Sequence, residues 1–588
     1  MERAAPRARE LLQQPRRRVR QTQQRAVPDL GRAAEPHRSH GARRGRLLRE
    51  RWCGVTGAEA DVLVIGGGMG GVAAALAALR RGRTVVLTEE TDWLGGQLTS
   101  QGVPPDEHPW IEQFGATRSY RRLRDAIRDH YRTWYPLTRE SREAPDLNPG
   151  RGTVSRLCCE PRVAAAVLAD MVGPYLAAGR LTIRYLHRPV AADVDGDRVT
   201  GVSFAGPDGE LCHVRARYVL DATELGDLLP LAGIEHVTGF ESAAETGEPS
   251  APAQAQPANM QAFSWVFAIE HRAGQDHTID KPDQYSFWRD YRPPFWPDRL
   301  LSLTAPDPRT LEPAVRTFVP HGSSGPVVAD QSRDPGDKDL WVFRRVVCRE
   351  VFEPGFAESD VVIVNWPQID YLPGPLIGVG DDERATHLQG ARNQALSMLY
   401  WLQTEAPRPD GGTGWPGLRL RPDVMGTSDG LAKSPYIRES RRIRARRTIV
   451  EHDLSLAVRG EHGAVAYPDT VGIGMYRIDL HPSTGGDNYI DVASCPFQIP
   501  LGALLPLRVT NVLAAGKSLG TTHITNGCYR LHPVEWNIGE AAGALAAHCV
   551  RHGLEPAQVH EDPAALERFQ AELVADGFEL AWPQVRGY

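Results

Sequence analysis

The order of apolar and polar positions divides the chain unevenly. Residues 1–52 show no helical or strand period. From Ala58 the pattern changes, and 61–65 is a short β-branched apolar run that predicts a strand buried on both faces. An Ala- and Leu-rich stretch, roughly 70–81, predicts a helix ended by Gly82, and 84–88 predicts a second strand. Strand, turn, helix and strand in that order predict an α/β fold with a parallel sheet. Residues 181–220 alternate apolar and polar side chains, with turn signals at Asp195-Gly196 and Pro207-Asp208-Gly209, and predict a β-meander. In 509–550 a strand ends at Ala515-Gly516, a loop follows, and a helix is expected to begin near Asn537. The segment PAALERFQAELVADG after 550 predicts an amphipathic structural helix. Between 240 and 430 the chain is rich in Pro and Trp, and its low-complexity part, 245–259 (ETGEPSAPAQAQPAN), predicts a mobile surface loop.

The turn inside the first unit carries candidate chemistry. Gly66, Gly68 and Gly71 fit G-x-G-x-x-G, with Met69 between them. The first glycine allows a tight turn, the second lets backbone approach a diphosphate, and the third lets the helix pack on the strand. The helix N-terminus adds unpaired N–H groups for anionic oxygens. Glu89, at the end of the second strand, is placed to accept hydrogen bonds from ribose hydroxyls, with Glu90 as the alternative in register. These features predict a dinucleotide site and leave NAD or FAD open.

Composition narrows the class. The 588 residues are 41% hydrophobic and 24% charged, as in an ordinary globular protein with room for two or more domains. Eight scattered cysteines form no C-x-x-C, so neither a disulfide framework nor a zinc site is expected, and reduced thiols suit a cytoplasmic protein. No run approaches the roughly 18 apolar residues of a membrane span. Residues 1–52 hold fifteen Arg against five Asp or Glu, a surplus that leaves the rest near −16 in a chain of net −6. This basic extension, 1–57, is expected to be disordered, and nucleic-acid binding through it is disfavoured. A twin-arginine export signal is excluded because no hydrophobic segment follows the arginines.

Three further segments decide between the cofactors. TDWLGGQLTSQG places Gly95, Gly96 and Gln97 just past the acidic strand end. HVRARYVLDATELGDLLPLAG ends a strand in Asp221-Ala222-Thr223. VTNVLAAGKSLGTTHITNGCYRLHPVEWNIGEAAGALAAHCV contains Gly516 and Gly539-Glu540-Ala541. Together with YIRESRRIRARRTIVEHDL, DTVGIGMYRIDLHPSTGG and FQIPLGALLP, these resemble the FAD-dependent oxidoreductases with a glutathione-reductase-type FAD domain, the group with an R-E-S-R-R segment and a C-terminal G-E/Q-A-A-G. The chain departs from that pattern at Glu224, where the A-T-G strand end has glycine. The resemblance implies FAD as cofactor. It implies a Rossmann-like FAD domain of three-layer ββα character, discontinuous over 59–235 and 500–550. A mixed substrate or cap domain would fill 236–499, and a helical tail 551–588. It also implies FAD contacts at Gly95, Gly96, Gln97, Ala222, Thr223, Gly516, Gly539, Glu540 and Ala541, with Val190 touching adenine. The helix near Asn537 would point its dipole at the flavin.

Hydride abstraction from an alcohol or amine needs a base beside the flavin. His523 is the first candidate and His532 the second, each weighed against a histidine that merely bonds backbone. Arg438, in R-E-S-R-R, is a candidate clamp for a substrate carboxylate or the reduced cofactor, weighed against an interdomain ion pair. Cys158-Cys159 is expected to pack rather than react. Asp479-x-His481 is expected to be an ordinary strand, and no metal is expected because no three ligands stand at metal spacing. The expected function is oxidation of a small organic substrate by FAD, with dioxygen or an external acceptor closing the cycle. A flavin monooxygenase reduced by NAD(P)H is the alternative, although no second G-x-G-x-x-G follows a strand. A non-catalytic protein that keeps FAD or binds RNA is the third.

Overall fold

Strand β1 (Gly57–Ile65) is flanked by parallel neighbours on both sides. β2 (Val85–Glu89) pairs Val62 with Val85, and β3 (Leu181–Tyr185) extends the sheet beyond it. On the other side lies β6 (Leu211–Asp221), which pairs Val62 with Tyr218. On its other edge β6 serves two more partners: its first residues pair with β5 (Arg198–Ala205), closing an antiparallel meander with β4 (Arg188–Asp195), and its last residues pair in parallel with a short strand, Val512–Ala514. The predicted parallel unit and meander are therefore one seven-stranded sheet, assembled from segments almost 300 residues apart.

Helix α1 (Met69–Arg80) is buried over all but its last residue, as its Ala-rich sequence requires. Helix α2 (Arg118–Trp134) and helix α3 (Pro161–Ala177) pack on each other, and α3 leads into β3. A second sheet, antiparallel, has β7 (Phe267–His271) at its centre. It runs β8 (Arg345–Val347), β9 (Val361–Val364), β7, β10 (Leu418–Leu420), and helix α4 (Asp381–Thr404) contacts β10. The C-terminal helix of the first fold region is α5 (His532–His552), buried from His532 to Cys549. It starts at His532, earlier than the position near Asn537 that the sequence suggests, because Pro533 suits a first helical turn.

α5 crosses α1 at glycines. A Cβ on Gly539 would lie 1.9 Å from the Gly70 carbonyl oxygen, and one on Gly543 would lie 2.1 Å from that of Ala74. Two helix backbones come this close only where side chains are absent.

The computed structural model describes residues 57–322 and 336–588; the basic extension predicted for 1–57 lies outside them up to residue 56. Among the described residues no helix is long and apolar enough to cross a membrane. The low-complexity stretch 245–259 is pinned rather than loose. Phe240 and Gln256 exchange backbone hydrogen bonds, Ser250 N donates to Glu451, and Asn259 Nδ2 donates to Asp487. The tail beyond 550 forms the helices Pro556–Glu561 and Pro563–Ala575, and its end folds back, with Trp582 Nε1 donating to the Phe497 carbonyl.

Candidate active site

The glycine turn is built for close approach. Gly66 follows β1 at φ +95°, where a Cβ would stand 2.3 Å from the Ala222 carbonyl oxygen. A Cβ on Gly71 would meet the Gly66 carbonyl oxygen at 1.9 Å. Gly68 begins α1 without a side-chain cap of its own, and the Glu535 carboxylate accepts from the Gly70 N–H in the first turn. Gly68 and Gly96 line a cavity of about 260 Å³. A Cβ at Gly68 would stand 2.8 Å from Glu224 Oε1, and one at Gly96 would stand 2.6 Å from the same atom. An anionic oxygen thus rests against both glycines, standing in for an oxygen of a diphosphate. The residues fit the adenosine diphosphate end of a dinucleotide.

Glu89 closes the other side. Its Oε2 accepts the Gly67 N–H at 2.9 Å, and its Oε1 accepts the backbone and side-chain donors of Thr91 at 2.9 and 2.7 Å. Burial pushes this carboxyl up to about 7 against those hydrogen bonds, and the exposed Glu90 also lines the cavity. Ala222 and Thr223 line the cavity beside them, held by Asp221, whose Oδ1 accepts from Thr223 N and Oγ1. Beside Val190, His187 and Pro189 line the cavity.

Several of the expected cofactor residues stand outside the lining of this cavity. Gly539 and Ala541 are in the interior of α5, where Gly539 meets Gly70, and the Glu540 carboxylate pairs with Arg80 and accepts from Ser119. These residues join α5 to α1 and α2 and do not line the cavity. Met69 is buried, and Gln97 Nε2 turns to the Arg530 carbonyl at 3.0 Å and to Glu535. Gly516 faces Glu535, whose Oε1 would be 3.4 Å from a Cβ there.

A buried triad missed in the sequence fills this corner. Lys517 Nζ donates to Glu224 at 2.6 Å and to Glu535 at 3.1 Å. Burial raises the Glu535 carboxyl to about 6, with Lys517 opposing, while the two carboxylates hold Lys517 firmly protonated against burial. The one visible signal was Glu224 standing where the resembling family has glycine.

The proposed bases are engaged. His532 accepts the Asp106 N–H at Nδ1 (3.1 Å) and meets the Val103 carbonyl at Nε2 (3.2 Å), so both nitrogens serve backbone and burial keeps the ring neutral. His523 Nδ1 lies 2.8 Å from Glu439, and its ring stacks on Phe240 at 3.6 Å. Arg438 is fully buried, donating to Ala262 O and Ser264 Oγ and pairing with Asp370 at 3.0 Å. Neither His523 nor His532 lines the cavity. Cys158 and Cys159 are buried, and burial pushes the Cys158 thiol up to about 12, as expected of packing residues.

Arg438 leads to a second chamber. Asp370 also accepts from His481 Nδ1 at 2.6 Å, and His481 lines a polar chamber of about 100 Å³ with Asp106, Arg344 and Asp479. Burial and the Arg438 charge lower the His481 pKa and keep the ring neutral; although burial opposes its charge, Arg438 and His481 hold Asp370 below the usual carboxylate range. His481 Nε2 is 4.0 Å from Asp479, and no hydrogen bond engages it among the described residues. This chamber and the cofactor cavity share one strip of chain: Gly96, Ser100 and Gln101 line the first, and Asp106 lines the second. Arg530, just before α5, ties the strip together, accepting from Gln97 and donating to Tyr436 and Asp479. Asp479 lies on a short strand, Ile478–Leu480, as expected, and His481 follows it in the wall of the chamber.

Away from both cavities, His548, His552 and Glu572 gather potential metal-ligand atoms within 4.8 Å of one another. The i, i+4 histidines on α5 were the available sequence signal, but Glu572 comes from the following helix.

No curated protein matches the chain. Solved structures resemble parts of it. Sdh1 of Mycobacterium smegmatis in complex with UQ1 is 12% identical over 29% of this chain and 34% of that one, with a TM-score of 0.22. L-proline dehydrogenase from P. horikoshii is 18% identical over 32% and 26%, with a TM-score of 0.17. The flavin-dependent monooxygenase PieE in complex with FAD and substrate is 19% identical over 36% and 35%, with a TM-score of 0.23. The chain thus spans only about a quarter to a third of the length of these proteins. The model of one family, FAD dependent oxidoreductase, matches residues 61–573. The chain belongs to the FAD-dependent oxidoreductase family, and its cofactor is FAD.

Proposed function

We propose that the protein oxidises a small organic alcohol or amine, with dioxygen or an external carrier as the final acceptor. The observation that supports this is the Asp370-paired His481, whose Nε2 makes no hydrogen bond among the described residues, in a chamber whose lining residue Asp106 follows closely in sequence on Gly96, Ser100 and Gln101 of the cofactor cavity. Gly66, Gly68, Gly96 and Glu89 hold the adenosine diphosphate end of FAD. When bound, FAD supplies an acceptor for the hydride of the substrate C–H bond. The chain's own part is to remove the heteroatom proton. His481 takes it at Nε2, Asp370 stabilises the resulting imidazolium through Nδ1–H, and Arg438 fixes Asp370. His532 and Arg438 thus position other groups rather than react.

The test begins with the absorption spectrum of the purified protein and anaerobic bleaching by candidate alcohols and amines. H481A should then bleach roughly 100- to 10,000-fold more slowly, with H481Q no better and the acid limb of the wild-type pH profile lost. Bleaching by NADPH alone would favour the monooxygenase, and equal rates in H481A would remove His481 from the chemistry.

A further inference from the structure

The chamber beside His481 contains an unusual buried cation. Arg344 is 9% exposed, yet its Nε and Nη1 have no hydrogen-bond acceptor among the described residues. Nη2 reaches Asp106 at 3.4 Å, a distance at which a hydrogen bond is weak. The other acidic groups around the chamber have closer partners: Asp337 with Arg316 at 2.6 Å, Asp479 with Arg530 at 3.2 Å, and Asp491 with Arg477. Leaving donors of a buried guanidinium unpaired costs more than leaving a neutral group so. The wall also holds Asn365, 4% exposed, whose Oδ1 has no donor. An acceptor anion is therefore called for at Arg344 and a donor at Asn365.

We infer that this chamber is the substrate site and takes a small carboxylic acid bearing a hydroxyl or amino group, its carboxylate on Arg344 and its O–H or N–H towards Asn365. The chamber volume of about 100 Å³ admits an acid of only a few heavy atoms. Asp106 stands beside Arg344, and burial raises its pKa against the charges of Arg344 and Arg530. His481, in the same wall, would meet the hydroxyl or amino group. The assignment rests on the function proposed above for the reaction of that group, but binding of the carboxylate requires only Arg344 and Asn365.

Binding is read on the purified holoprotein by thermal shift and calorimetry with glycolate, lactate and glycine, using glycolamide, lactamide and glycinamide as uncharged controls. At least one acid should raise the melting temperature saturably while its amide does not. R344Q should weaken that acid roughly 10- to 100-fold, the worth of a charged hydrogen bond, and R344K should weaken it less. N365L, which removes the acceptor and fills the space, is a second variant should R344Q not fold. Acids and amides binding alike, undiminished affinity in R344Q, or no acid binding to a flavin-loaded protein would overturn the carboxylate site. Specific acid binding without anaerobic bleaching would leave the site standing and remove the proposed oxidation instead.

Discussion

Glu224 is the residue where this chain departs from the A-T-G strand end that its sequence resembles, and the structure places that side chain at the glycine turn. Its carboxylate lies against Gly68 and Gly96, held by Lys517. A diphosphate there must displace or compete with that charge. E224A is therefore expected to tighten FAD binding about tenfold or more, by removing a like charge from a low-dielectric cleft; flavin fluorescence titration of the apoprotein measures it. K517M should act oppositely, leaving two carboxylates without their cation. Glu89 gives a pH signature. Its folded pKa is raised from 4.5 to about 7, so the folded state favours the protonated form. That contribution is fully present below the unfolded value and is lost as pH rises through about 7. The melting temperature of apo E89Q minus that of apo wild type should climb from about pH 5 to pH 8 and then level off; a flat difference would show that Glu89 is not buried as described.

At the scale of elements, α5 shows what the G-E-A-A-G motif does for the fold. The G-E-A-A-G segment is needed because α5 presses its backbone on α1. G539A should lower stability by about 2 kcal/mol or more, the cost of forcing a methyl into close-packed backbone, and should also lower flavin content because Gly70 lies in the cofactor turn. E540Q should behave differently. It loses the pairing with Arg80 and so lowers the melting temperature, while FAD affinity stays within twofold of wild type, since Glu540 faces α1 and α2 rather than the cavity. Thermal melts and FAD titration on the same two variants separate packing from cofactor contact. The βαβ unit, the meander and the C-terminal helix were legible in the sequence because each is set by local periodicity and turn residues. The start of α5 was missed because Pro533 reads as a loop residue unless its place in the first helical turn is considered.

For the whole molecule, the first sheet closes only when Val512–Ala514 pairs with β6 and α5 covers α1. A chain ending at residue 508 lacks both. It should yield no soluble flavoprotein, measured as soluble expression and flavin absorbance, because β6 would keep an unpaired edge and α1 an uncovered apolar face. The same long-range closure brings the two chambers to one strip of chain, 96–106.

The sequence alone determined the cofactor end of this protein. The glycine turn, the acidic strand end and the Gly95-Gly96 pair act through backbone shape over some thirty residues, and local spacing records such shape. The end proposed to react is legible only in the tertiary structure. Asp370, Arg438 and His481 come from separate segments, as do Arg344 and Asn365, and only packing reveals that both nitrogens of His532 serve backbone while, among the described residues, His481 Nε2 and two Arg344 nitrogens have no hydrogen-bond partner. Whether a polar group is spent or free depends on partners hundreds of residues away, and no local pattern encodes that.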